Sequence, residues 1–187
     1  MLFRSDMLVH KDLRSIFRHD IEELDLVHVA AATPRQKESQ FAVMLLNCRR
    51  LNWTIESVVA GLDRGEFSYR QLMQEMNIAG RKQALLSHSW NHLDEYRKGV
   101  SALTHYTDAM RQPWLCRDNP AEAIWLATLV EAVQCGHLTL TEIEREVELG
   151  HVRPSLVSQV ELLMAGQQIS RNRCLQLDAN FTAPICN

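Results

Sequence analysis

The chain has 187 residues, 46% of them hydrophobic and 23% charged, which is enough to bury a sizeable core in one domain or two small ones and excludes a disordered chain. A formal charge of −3 argues against a general polyanion binder, because non-specific nucleic-acid affinity comes from excess Lys and Arg. A local basic patch could still serve sequence-specific DNA binding.

Charges interrupt every apolar run, including the N-terminal MLFRSDMLVHKDL, so neither a signal-peptide core nor a membrane span is expected. The 7 Gly and 5 Pro are few, and Leu, Ala, Gln and Glu are many, which favours helix throughout. Cys48, Cys116, Cys135, Cys174 and Cys186 are odd in number, widely spaced and without a C-x-x-C. That pattern fits a reduced, cytoplasmic protein. Cys48 and Cys135 fall on apolar helical faces and are expected in the core, while Cys174 and Cys186 are the candidates for a cross-link between subunits.

In chain order, residues 5–31 place Leu8, Val9, Leu13, Ile16, Phe17, Ile21, Leu24 and Val27 in a helical rhythm. Asp20, Glu22, Glu23 and Asp25 make an acidic patch on it, read as a solvated face. Thr33 and Pro34 then form an N-cap and first-turn pair, starting a second helix over 35–51 with Phe41, Met44, Leu45 and Cys48 on its buried side. A helix over 53–64 ends at Gly65.

From here the sequence repeats. Residues 55–86 return in pattern as 126–157, a shift of 71 that puts Gly65 on Gly136, Ser68 on Thr139, and apolar residues on apolar residues at eleven positions. Each copy reads as helix, glycine stop, Ser or Thr cap, short helix, turn and third helix. In the first copy the short helix is 69–76, the turn is Asn77-Ile78-Ala79-Gly80, and the third helix is 81–93. This spacing predicts a helix-turn-helix in which Leu72, Met76, Ile78, Leu85 and Leu86 pack. Residues 95–110 read as more helix or a strand-like return, and turn-rich residues 112–120 join the halves. The tail 171–187 has Leu175, Leu177 and Phe181 in alternation, as in an extended segment. The expected fold is all-α: an N-terminal helix pair (1–52), a first helical repeat (53–112), and a second repeat with its tail (113–187).

Arg81, Lys82, Gln83 and Ser87 sit where a recognition helix makes base contacts, and Arg70 lies on its supporting helix. These five are the candidate DNA-binding residues. The second copy carries Glu142, Glu144, Glu146 and Glu148 instead, a surface that repels phosphates and suits a protein partner. His88 and His92 are four apart, with Glu95 a turn later, which is metal-ligand spacing on a helix. Without a further Cys or His motif they read as surface histidines, and no metal or cofactor is expected. No G-x-G-x-x-G, Walker loop, H-E-x-x-H or G-x-S-x-G occurs, and no enzyme is expected. Trp53, Trp90, Trp114 and Trp125 are read as core or interface anchors.

The repeat resembles the FlhD-type subunit of the bacterial flagellar master regulator. In the first copy the resemblance lies in residues 58–65, Met76-Asn77-Ile78 and Leu86-Ser87. In the second it lies in residues 129–136, Glu148-Leu149-Gly150, Leu162-Leu163 and the closing QLDANF of 176–181. It covers about two thirds of the chain, and departs from that family in carrying two copies, in its N-terminal helices, and in lacking the zinc ribbon of the partner subunit FlhC. It implies a helical transcriptional regulator acting as an oligomer, on DNA directly or with a partner protein. The alternative from the residues alone is a helical adaptor for another protein in a secretion or conjugation system.

Overall fold

A computed structural model describes residues 6–30 and 40–184. The architecture is mixed α/β and not all-α: 40% helix, 14% strand and two three-stranded sheets. It forms two compact units. The first comprises the described residues up to 92 together with 97–105, and the second comprises 93–96 and the described residues from 106 onward.

In the first unit β2 (Leu26–Val29) lies at the centre of one sheet, antiparallel to β3 (Gln40–Leu46) and parallel to β4 (Lys82–Leu86). All four residues of β2 are buried. Val27 and Val29 join Ile16, Val43, Leu45, Leu86, Trp90 and Leu103 in one cluster, while Leu26 packs with Phe41, Met76 and Ala79 in another. A strand covered on both faces has no polar side to alternate with and reads as a short apolar run, which periodicity alone cannot separate from a buried helix. That ambiguity accounts for the two expected N-terminal helices. Residues 5–31 hold β1 (Met7–Val9), a 3-10 turn at Leu13–Arg18 and β2, while the described part of 35–51 is β3. The Thr33–Pro34 cap lies outside the described residues. Cys48 and Cys135 are exposed rather than core, and Cys174 is buried.

A second sheet runs β1–β6–β5, with β6 at Leu103–His105 and β5 at His92–Leu93. Between β3 and β4 in sequence come α1 (Ile55–Asp63), capped by Thr54, and α2 (Tyr69–Met73), capped by Ser68. The expected third helix of this copy is absent. Residues 82–86 are β4, and residues 88–91 form a 3-10 turn. The cause is Asp25, from the expected acidic face. Its Oδ2 accepts the N–H groups of Gly80 (2.8 Å) and Arg81 (2.9 Å), and its own N–H donates to the Arg81 carbonyl (2.8 Å). The chain is thereby laid beside β2, with Lys82 opposite Leu26.

The second unit contains α3 (Glu122–Gln134), α4 (Leu140–Glu148), α5 (Ser155–Met164) and α6 (Arg171–Leu177). Leu126, Ile143, Leu156 and Val160 form its buried centre. Here the helical expectation holds through α5, while the tail expected to be extended supplies α6. Among the described residues no helix is long and apolar enough to cross a membrane.

Candidate cation site

The expected DNA-binding residues do not share a helix. Arg70 is exposed on α2. Arg81 precedes β4 and pairs with Glu23 at 3.0 Å. Lys82 opens β4, its Nζ donating to the Met76 carbonyl at 3.2 Å. Gln83 pairs opposite Val27 within the sheet, and Ser87 caps the 3-10 turn. The helix-turn-helix geometry expected for them is therefore not formed, since residues 82–86 are β4.

His88 and His92 are also off any α-helix, on the 3-10 turn and on β5. Their rings are in contact, with centroids 5.1 Å apart. His92 is buried, its Nδ1 2.6 Å from the Ser101 hydroxyl, which also accepts the Arg97 N–H at 2.8 Å. Ser101 is itself 2% exposed, so this arrangement ties a loop and presents no nucleophile. Glu95, the third residue of the spacing, belongs to the segment 93–96 of the second unit.

Another buried polar cluster of the first unit lies at one end of the β1–β6 pair. Met7 stands opposite His105 in the antiparallel register, so Asp6, just before β1, and His105, the last residue of β6, arrive at the same end. Asn91 joins them from the 3-10 turn that Ser87 caps. All three are buried, Asp6 at 7%, His105 at 3% and Asn91 at 2% exposure. His105 Nδ1 lies 3.0 Å from Asn91 Oδ1. An amide oxygen only accepts, so Nδ1 carries the proton and Nε2 is the ring atom turned toward Asp6. Nε2 stands 3.5 Å from Asp6 Oδ1.

That separation is long for a charge-assisted N–H···O bond, which runs about 2.7–2.9 Å. It suits two donors sharing one ion, each about 2.1 Å from it at a roughly tetrahedral angle. Carboxylate oxygen with imidazole nitrogen is a donor set for Zn²⁺ or Mn²⁺, and Asn91 supplies the outer hydrogen bond that fixes a ligating histidine's tautomer and ring. On the same strands, His10 Nε2 meets Thr104 Oγ1 at 2.9 Å, and burial holds the His10 pKa below the ordinary imidazole value. His28, in β2, is likewise lowered by burial.

Sequence reasoning missed Asp6, Asn91 and His105. Asp6 fell inside an expected helix, and His105 lay within residues 95–110, read as helix or a strand-like return. The available signal was a polar residue flanking each of two short runs, Asp6 before Met7-Leu8-Val9 and His105 after Ala102-Leu103-Thr104.

No family model matches the chain, and neither do the curated proteins or solved structures with which it was compared.

Proposed function

We propose that the first unit binds a divalent cation between Asp6 and His105. The observation carrying this reading is the buried pair itself: Asp6 Oδ1 and His105 Nε2 at 3.5 Å, with Asn91 setting the histidine's tautomer. A divalent ion between a buried carboxylate and a buried imidazole would offset part of the hydration both groups lose. The recognition helix expected to read DNA is not formed, because residues 82–86 are β4.

Titrating Mn²⁺ into the full chain and following water-proton relaxation tests the reading. One site is expected, weakened at least about tenfold in Asp6→Asn and in His105→Gln. A plain imidazolium–carboxylate pair predicts the opposite: no Mn²⁺ site, or one indifferent to both substitutions. Either result would refute the proposal.

A further inference from the structure

His88 and His92, four apart in sequence, both belong to the first unit. The 3-10 turn His88–Asn91 starts at His88, is capped by Ser87, and leads directly into β5 at His92. Turn and strand thus bring together two rings that were expected to meet along an α-helix. Their centres are 5.1 Å apart and their planes are tilted by 52°. One donor atom of each residue lies within 4.8 Å of the other's.

The two rings are held differently. His92 is buried, and its Nδ1 lies 2.6 Å from the Ser101 hydroxyl, which also accepts the Arg97 N–H at 2.8 Å. A ligating histidine is commonly fixed in this way through its second nitrogen, so Nε2 is the His92 atom presented to an ion. His88 is half-buried as a residue. Its Nδ1 is fully buried and has no hydrogen-bond partner among the described residues. A buried imidazole nitrogen left in that state is costly and calls for an explanation.

The spacing of the rings supplies one. With Zn–N bonds of about 2.1 Å and a ring nitrogen about 1.1 Å from its ring centre, two imidazoles on one tetrahedral ion have centres about 5.2 Å apart. The observed 5.1 Å matches, so an ion is admitted by turning the rings in place. At that bond length an ion stands closer to the nitrogen than a hydrogen-bonded water does, and burial of the nitrogen does not bar it.

We propose that His88 and His92 together bind Zn²⁺, at a site with no donor in common with the Asp6–His105 pair. Two imidazoles suit Zn²⁺, whereas Mn²⁺ takes oxygen-rich donor sets. The two sites are therefore told apart by ion as well as by residue.

The test is imidazole-nitrogen NMR on the isotope-labelled full chain, titrated with zinc chloride. Saturable shifts of the His88 and His92 ring nitrogens are expected. His88→Phe keeps an aromatic ring against His92 and should abolish the Zn²⁺-dependent shift there. In His105→Gln both shifts should persist, so failure of the Asp6–His105 reading leaves this site standing. A stacked pair that binds no ion predicts His88 and His92 nitrogens unmoved by Zn²⁺ in the wild-type chain, and that result overturns the proposal. So does a His92 shift retained in His88→Phe, or a loss of both shifts in a folded His105→Gln chain. The wild-type titration decides alone if His88→Phe fails to fold.

Discussion

The hairpin of α1 and α2 and the hairpin of α3 and α4 begin with the same local chemistry and end in different structures. Gly65 (φ 69°) and Gly136 (φ 72°) stop their helices in the left-handed region. Each is followed by the same pair of reversed hydrogen bonds: Gly65 N to Leu62 O with Glu66 N to Gly61 O, and Gly136 N to Val133 O with His137 N to Ala132 O. Ser68 and Thr139 then close reciprocal capping boxes with Gln71 and Glu142. Beyond this the copies part. The second reaches Pro154, and α5 follows, laying Leu156 and Val160 on Leu126 and Ile143. The first reaches Gly80 and Arg81, whose N–H groups the Asp25 carboxylate captures, and becomes a strand along β2. Among the described residues no third helix returns to cover the first hairpin, and Ile55 is 79% exposed where its counterpart Leu126 is 9%. Matched local signals start and stop helices; the third element is chosen by what it can pair with.

The largest effect separating the copies should come from the start of α5. Arg153 is 1% exposed, and Arg153→Met removes the guanidinium that matches buried Glu122. A loss of about 3–5 kcal/mol in denaturant unfolding is expected, recovered in part by adding Glu122→Gln. The pH sign follows from the Glu122 carboxyl, whose pKa is raised in the folded state. Its contribution is present below the ordinary carboxylate pKa and lost as pH rises through the raised value. The Arg153→Met defect should therefore shrink in acid; a defect independent of pH would show that Glu122 is not the group left exposed to the cost.

Next in size is the contrast at equivalent positions. Leu126→Ala should cost about 2–5 kcal/mol, whereas Ile55→Ala should stay within about 0.5 kcal/mol, both read from chemical unfolding of the full chain. Equal costs would mean that the first hairpin's face is covered in solution. The smallest effects should be the shared ones. Ser68→Ala and Thr139→Ala each remove one cap and should each cost about 1 kcal/mol. Unequal values would show that the two boxes, alike in geometry, differ in how firmly their helices are held.

What the sequence by itself determined is the set of features with near-neighbour causes. The repeat at a shift of 71, the glycine stops, the Ser and Thr caps and the helices α1 to α5 all follow from residues within a few positions of one another. The tertiary structure decided the rest. LVHV at 26–29 became a buried strand because neighbours cover both its faces, and KQALL at 82–86 became its parallel partner because Asp25, some 55 residues earlier, holds Gly80 and Arg81. The candidate cation site has the same origin. Asp6 and His105 are 99 positions apart in numbering, and only the register that sets Met7 against His105 brings them to 3.5 Å. Local sequence fixes capping and helix ends because those hydrogen bonds close within one turn. Strand partners and the sites at strand ends depend on which distant edge is available, and no local pattern encodes that choice.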